Sequence, residues 1–188
     1  MNLGELIDKP AASHGRIDGV VIGLVTNNQD PEGMARVRLE FPWLNDADES
    51  AWARIVSFMA GPDRGAVFLP EVGDEVLVAF EHGDPRFPYV LGALWNGKDK
   101  PPEANASGSN DVRVIVSRSG HTIRLNDKAG AETTEIVDKT GNNRIVIDSS
   151  SNSLTLSAPS GKIRLEAKEI EIEATATAVL KGAVVNIN

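Results

Sequence analysis

The sequence predicts an all-β protein in two parts, and the distribution of aromatic residues is the first observation behind that prediction. All nine Phe, Tyr and Trp residues lie at or before Trp95, and the 93 residues that follow contain none. Aromatic side chains each bury a large area in an ordinary core. The apolar residues of the tail are instead Ile, Leu, Val and Ala in alternation with polar ones, which is the period of a β-strand. A β-rich segment without aromatics indicates a narrow interior.

Charge and proline divide the chain at nearly the same place. Residues 1–110 carry 9 Lys and Arg against 17 Asp and Glu, whereas residues 111–188 carry 10 of each. Nine of the ten prolines lie at or before Pro102. The segment 98–111 is rich in Pro, Ser, Gly and Asn, as linkers are. We therefore expect an N-terminal arm at 1–15, a first domain at 16–97, a linker at 98–111 and a second domain at 112–188.

The first domain is predicted to be a small antiparallel barrel. Five apolar or alternating segments are separated by turns rich in Gly and Pro, which is typical of small all-β domains. This pattern leaves an OB-type barrel, an SH3-like barrel and a small sandwich open. The segment 60–74 contains too much Gly and Pro for a helix. The predicted strands are 15–28, 34–41, 51–58, 75–81 and 87–95.

The link between the first two strands is predicted to be a type I turn. Asp30-Pro31-Glu32-Gly33 has Pro at the second position and Gly at the fourth, as that turn prefers. The segment after it alternates, with one slip of phase near Ala35 that would allow a β-bulge. The apolar positions of this segment are Met34, Val37, Leu39 and Phe41.

The second domain repeats a short unit that consists of a polar turn, an aliphatic-polar-aliphatic triplet and another polar turn. The spacing between units is irregular, so this is a loose repeat. The two aliphatic residues of each unit fall on one face of a strand, and one such stripe cannot be buried by its own unit. We therefore predict that the core of this domain is formed by Ile123, Leu125, Ile145, Ile147, Leu154, Leu156, Ile163, Leu165, Ile170 and Ile172.

Two architectures would bury these stripes. Stacked units of one chain form a solenoid, whereas three chains wound together form an intertwined trimer. A purely aliphatic core favours the trimer, because three copies of each inward side chain meet around one axis and three rings would be hard to fit there. The tail is also short for a solenoid that needs caps at both ends. The segment 169–173, Glu-Ile-Glu-Ile-Glu, fits a trimer strand and equally a half-buried strand of an ordinary sheet.

The sequence argues against catalysis and against a bound metal or cofactor. The chain has no cysteine, and His14, His82 and His121 are far apart in the sequence, so no metal site of familiar spacing is present. Paired carboxylates such as Glu71 and Asp74 lie in turn-like contexts. We therefore predict no catalytic, metal-binding or cofactor-binding residues, and no cofactor.

Several segments, in order, resemble the phage baseplate assembly protein V and VgrG-type spike family. They are GVVIGLVTNNQDPEGMARVRLEFPWL at 19–44, the run from WARIVSF to NGKDKPP at 52–102, SRSGHTIRLNDKAG at 117–130 and TGNNRIVIDSSSNSLTLSAPSGKIRLEA at 140–167. The resemblance implies an OB-fold five-stranded barrel followed by an intertwined trimeric β-helix, which is a spike in the form of a triangular prism. It also implies a structural role without enzymatic activity.

Members of this family work at the tip of contractile injection machines, namely phage tails, tailocins, extracellular injection systems and type VI secretion. The resemblance implies a rigid homotrimer that contacts the target envelope only when sheath contraction drives it through. The N-terminal residues have no signal-peptide pattern, so we expect assembly in the cytoplasm and delivery to the target cell envelope as part of a baseplate. The residues do not distinguish among these systems.

Three departures from the family pattern predict the partners. Only the arm at 1–15 precedes the barrel, so we expect the hub to be a separate protein at the OB-fold end. The linker at 98–111 is too short for the lysozyme domain that some phage spikes carry. The chain ends without the His-x-His of iron-binding tips, so a separate PAAR-like tip protein is expected to dock on Val185, Ile187 and Asn188.

Two other functions stay open as alternatives. A cell-wall or polysaccharide-active β-helix enzyme would need a groove lined by acids and aromatics, and the tail has no aromatics. An OB-fold nucleic-acid binder would need a basic surface, whereas the net charge of this chain is -8. We therefore expect no nucleic acid among the partners.

Overall fold

The computed structural model describes residues 15–44 and 49–186, and it divides into two compact units, Met1–Pro101 and Pro102–Asn188. Twelve β-strands are present, and the described residues contain a single helical element, the short 3₁₀ turn Glu81–Gly83. The all-β class predicted from the sequence is therefore confirmed. The bounds predicted for the arm and the linker stay predictions.

The first unit contains seven strands. Each of the five strands predicted there is present over a shorter range. A hairpin of two two-residue strands, which the sequence analysis did not predict, lies in the Gly- and Pro-rich segment after the third predicted strand. The strands are β1 Val20–Asn27, β2 Arg38–Glu40, β3 Arg54–Ile55, β4 Ala60–Gly61, β5 Arg64–Gly65, β6 Glu75–Phe80 and β7 Pro88–Ala93.

Five of these strands close into a barrel. They follow the order β2-β1-β6-β7-β3, and the two outer strands are joined by an antiparallel bridge in which the Val37 and Ala53 amides donate to each other's carbonyls at 3.1 and 2.7 Å. The β3–β7 pair is parallel, through Arg54 opposite Tyr89 and Ile55 opposite Val90. This arrangement is a five-stranded OB-fold barrel.

The parallel β3–β7 pair corrects the prediction of a wholly antiparallel barrel. Neighbouring directions cannot alternate all the way around a ring that contains an odd number of strands. A closed barrel of five strands therefore needs at least one parallel pair, which hydrophobic alternation in the sequence does not indicate.

The interior of the barrel is aliphatic with two aromatic rings. The rings of Phe41 and Phe80 pack with centroids 5.6 Å apart, in the range favoured for aromatic pairs. A Cβ at Gly23 would lie 3.3 Å from both Phe41 Cε1 and Val78 Cγ2, so glycine leaves the space that the Phe41 ring uses. The buried hydrophobic residues are Val25, Val37, Leu39, Phe41, Ala53, Val76, Val78, Phe80 and Val90.

The predicted turn at Asp30 is present, whereas two details of the segment after it differ. The Gly33 amide donates to the Asp30 carbonyl at 3.1 Å. The Met34 amide donates a hydrogen bond to the Asp30 carboxylate at 3.0 Å, so Met34 lies in the turn, before the strand begins. Its side chain is 59 % exposed and is not part of the core. The register shift lies on β1 between Val25 and Asn27, and Ala35 itself adopts a left-handed φ of 54°.

The second unit contains a five-stranded antiparallel meander. Its strands pair in the order β12-β11-β10-β9-β8, and glycines with positive φ at 120, 130 and 141 allow the tight turns between them. The strands are β8 Val112–Val116, β9 Thr122–Asn126, β10 Thr133–Val137, β11 Arg144–Asp148 and β12 Ser153–Ser157.

The sequence reading was incomplete in the second unit in two ways. Strands β8 and β10 were not predicted. The segments that contain Ile163, Leu165, Ile170 and Ile172, which the repeat predicts to be strands, form no strand in the single chain, since residues 158–186 contain none. A strand gains its stability from hydrogen-bonded neighbours, and the chain supplies none to these segments.

We expect Leu39→Ala to lower the free energy of unfolding of the barrel by about 2–5 kcal/mol, because Leu39 is fully buried and its truncation leaves a cavity. The matched control Met34→Ala removes an exposed side chain from the same segment and should change stability by less than ~0.5 kcal/mol. All three tryptophans lie in the first unit, so urea denaturation followed by tryptophan fluorescence measures the barrel. Equal effects of the two substitutions would contradict the described core.

Candidate functional site: an uncovered apolar sheet face

One face of the β8–β12 meander is lined by aliphatic side chains in register. In one row, Ile123 lies opposite both Ile115 and Ile136, and Ile145 lies opposite both Ile136 and Leu156. In a second row, Ile147 lies opposite Leu154. We call the following set the apolar sheet face: Ile115, Ile123, Leu125, Ile136, Ile145, Ile147, Leu154 and Leu156.

The apolar sheet face is not covered by its own chain. Its side chains are between 40 % exposed, at Ile145, and 68 % exposed, at Leu154. The opposite face is mainly polar and includes the neighbouring pair Arg124 and Glu135. Isolated apolar residues are common on protein surfaces, whereas a contiguous stripe of this kind marks an interaction site.

The structure brings six of the ten residues predicted for the core onto this face: Ile123, Leu125, Ile145, Ile147, Leu154 and Leu156. Ile163 lies outside the strands but lines the same open groove of about 620 Å³ as Ile115, Ile136 and Ile145. Leu165, Ile170 and Ile172 are exposed and outside any strand. Their assignment to a shared core stays a prediction.

The three residues predicted to dock a tip protein lie at the end of the chain. Val185 is exposed, and Ile187 and Asn188 lie outside the described residues. The docking role of this segment therefore also stays a prediction.

Sequence reasoning missed two members of the apolar sheet face, Ile115 and Ile136. The first lies in the run Val112–Val116, where three valines occupy the opposite face and Arg113 takes the position of the second aliphatic residue. The second lies in β10, where Thr134 occupies the position of the second aliphatic residue. The segments that separate β8 to β11 are short enough for tight hairpins. Pairing neighbouring segments on that basis would have placed Ile115 opposite Ile123 and Ile136 opposite Ile145.

Aspartates at the hairpin turns hold the meander in place. The Asp138 carboxylate accepts hydrogen bonds from the Thr140 hydroxyl at 2.8 Å and from the Asn143 amide at 3.1 Å, and the Thr140 hydroxyl is the main reason why the pKa of Asp138 is lowered. The Ser150 hydroxyl and the Ser151 amide lower the pKa of Asp148 to about 2 in the same way. Bonds of this kind fix turns locally, so the exposed face is presented by an ordered sheet.

The β2–β3 side of the barrel is the face that binds oligonucleotides in many OB folds, and here its arginines are engaged within the chain. Arg36 pairs with Asp30 at 2.8 Å and with Glu32 at 3.1 Å, and Arg38 pairs with Glu49 at 3.1 Å. The positive charges of this surface are therefore neutralised by carboxylates of the same chain. Paired arginines attract phosphate less than unpaired arginines would.

Neither a metal site nor a membrane span is found in the described parts of the chain. Within residues 15–44 and 49–186, no three His, Cys, Asp or Glu side chains form a group that could hold a metal ion. No helix in the same residues is long and apolar enough to cross a membrane.

Comparison with known families identifies the barrel. Residues 21–95 match the family of type VI secretion system/phage-baseplate injector OB domains. The barrel belongs to this family. The match extends from the second residue of β1 to beyond β7, so it includes all five barrel strands, and it confirms the resemblance that the sequence motifs indicated.

The chain is also similar to curated spike proteins. The chain is 31 % identical over 125 residues to the type VI secretion system spike protein VgrG1c of Pseudomonas aeruginosa, which covers 60 % of this chain and 17 % of that protein. It is 32 % identical over 131 residues to the spike protein VgrG3 of Vibrio cholerae, which covers 62 % of this chain and 13 % of that protein. The chain therefore spans less than a fifth of the length of these relatives.

A third relative gives the same result over a shorter range. The spike protein VgrG5 of Pseudomonas aeruginosa is 36 % identical over 106 residues, which covers 52 % of this chain and 13 % of that protein. All three relatives are named as spike proteins.

We expect the injector OB domain to become less stable in acid, because protonation of Asp30 removes the Asp30–Arg36 ion pair. The Arg36 guanidinium lowers the pKa of Asp30 below its ordinary value, so the carboxylate stabilises the fold above about pH 4 and this contribution is lost as the pH falls further. Asp30→Asn should be less stable than the parent at pH 7, and its stability should depend less on pH below about pH 4.

The measurement is urea denaturation at neutral and acidic pH, again by tryptophan fluorescence. Asp63→Asn is the control, because it removes a carboxylate from the tip of the β4–β5 hairpin and leaves the Asp30–Arg36 pair in place. If Asp30→Asn followed the pH dependence of the parent, the ion pair would not contribute to folding.

Proposed function

We propose that this chain is the structural central spike of a contractile injection system baseplate and acts as a rigid homotrimer. The observation that carries the proposal is the apolar sheet face, which is left uncovered in a chain whose barrel is an injector OB domain. The similarity to proteins named as type VI secretion spike proteins supports the same function.

Association with copies of the same chain is the simplest way to cover the apolar sheet face. Burying apolar surface contributes roughly 25 cal/mol per Å², so each of these half-exposed side chains would contribute about 1 kcal/mol. The polar opposite face would stay in water. Three sheets that face one axis would bury mainly aliphatic side chains and no aromatic ring, which agrees with the absence of aromatic residues after Trp95.

The segment 158–186 is proposed to complete the spike. Residues that have no strand partner in one chain would pair with the other two chains, and Ile163, Leu165, Ile170 and Ile172 would then point to the shared axis. Such pairing would also cover the free edge of β12, since an unpaired edge invites association. The resulting trimeric β-helix would span the proposed domain at 112–188.

The proposed partners follow from the role of the spike. A separate hub protein would hold the barrel, and a separate PAAR-like tip protein would bind Val185, Ile187 and Asn188. The trimer would assemble in the cytoplasm and be carried by a phage tail-like particle or a type VI-like machine. Sheath contraction would drive it through the target envelope, and mechanical rigidity rather than catalysis would be its contribution.

We expect the purified protein to have about three times the chain mass of 20.1 kDa in light scattering or sedimentation. The expected reason is burial of the apolar sheet face between chains. A monomer across the working concentration range would contradict the proposal, whatever the stability of the barrel.

We expect Ile145→Asp to abolish the trimer or make the protein insoluble. In the trimer it would place three carboxylates near one axis, where burial and like charge both oppose ionisation. Thr155→Asp is the matched control, because Thr155 lies on the opposite, polar face of the same sheet, and it should leave the trimer mass unchanged. An intact trimer of Ile145→Asp would show that this residue faces solvent.

A further inference from the structure

The injector OB domain has an apolar projection that its own core does not use. The segment between β3 and β6 contains the β4–β5 hairpin, flanked by large hydrophobic side chains, with Phe58 85 % exposed. We call this the hairpin knob, formed by Val56, Phe58, Met59, Val67 and Phe68.

The hairpin knob is ordered by its own hydrogen bonds. The Ser57 hydroxyl lies 3.0 Å from the Met59 carbonyl and 2.8 Å from the Ala66 carbonyl, and the Ala66 amide donates to the Met59 carbonyl at 3.1 Å. The rings of Phe58 and Phe68 pack with centroids 6.4 Å apart. A surface held in one shape loses little conformational freedom on binding, and aromatic residues and Met are enriched in interfaces.

A second apolar surface covers the outside of strands β1, β6 and β7. Alternate residues of these strands fill the core, so their neighbours point outward, and Ile22 lies opposite Leu77. Val20, Ile22 and Leu91 are exposed, and Leu77 is half-buried. We call these four residues the barrel strand face.

Charged residues are nearly absent from the strands that form this face. Glu75 is the one charged residue in Val20–Asn27, Glu75–Phe80 and Pro88–Ala93, although residues 1–110 carry an excess of eight acidic side chains, 17 against 9. The rest of the barrel therefore repels another barrel of the same kind, and the repulsion is weakest where charge is missing.

We propose that the hairpin knob of one barrel packs on the barrel strand face of the next copy, so that the three barrels form a closed ring. This inference rests on the proposed homotrimer. A ring with three-fold symmetry uses the same contact three times, and each contact joins two different surfaces of the chain. The domain carries two such surfaces, one a projecting aromatic hairpin and the other a sheet face depleted of charge.

The absence of cysteine from the chain allows a direct test. Two single-cysteine variants, Phe58→Cys and Ile22→Cys, are co-expressed in the full-length protein and treated with a flexible bismaleimide. Because each chain has one thiol, every cross-link joins two chains. Light scattering before treatment gives the oligomeric state of the parent protein and of each variant.

We expect cross-linked dimers in the co-expressed mixture and little cross-linking when either variant is expressed alone. The control pair combines Phe58→Cys with Lys98→Cys, an exposed position outside both surfaces, and should cross-link no better than the single variants. Cross-linking of Phe58→Cys to itself would place the three knobs together and overturn the proposed contact.

The outcomes separate this inference from the proposed function. A trimer of about three times 20.1 kDa that fails to cross-link between positions 58 and 22 overturns the knob contact and leaves the spike proposal standing. A parent protein that is monomeric overturns both. A parent trimer whose variants are monomeric supports the contact, provided that tryptophan fluorescence shows folded barrels.

Discussion

A β-sheet with one apolar face must have that face covered, and this constraint governs the second half of the molecule. The β8–β12 meander satisfies its internal hydrogen bonds and its turns within one chain. Its aliphatic side chains nevertheless stay 40–68 % exposed, in two rows that follow the strand register. Contact with water is unfavourable for such a surface, so the surface favours association. The proposed homotrimer would cover the apolar sheet face without any other protein.

The two units differ in whether the edge strands of their sheets are paired. The barrel joins its outer strands through the Val37–Ala53 bridge, so it closes its main sheet within one chain. The meander keeps β8 and β12 as edge strands. A closed sheet has no free edge at which another chain could pair, whereas an open sheet with one apolar face is suited to association. The proposed spike would use both, a barrel that is closed within one chain and a sheet that associates with other copies.

Several features were predictable because they depend on local composition. The five barrel strands, the turn at Asp30 and the aliphatic character of the second unit all follow from patterns within about ten residues. Strands β8 and β10 were missed, since Arg113 replaces an aliphatic residue on the Ile115 face of one and Thr134 replaces an aliphatic residue in the other. Met34, an apolar position of the predicted strand 34–41, lies before β2, because the Asp30 carboxylate four residues earlier binds its amide in the turn. In each case a nearby residue hides or interrupts the hydrophobic alternation on which the prediction depends.

The sequence by itself determined the class of the fold, the division into an aromatic and an aliphatic half, and the resemblance to injector spikes, because these properties are carried by residue types and their order. Only the tertiary structure decided how the strands meet. The parallel β3–β7 pair follows from closing five strands into a ring, and the register that aligns Ile123, Ile136 and Ile145 follows from the lengths of the hairpin turns. The β3–β7 pair joins residues far apart in the chain, whose pairing no local pattern encodes, whereas the meander register is set by nearby residues once the hairpins have formed.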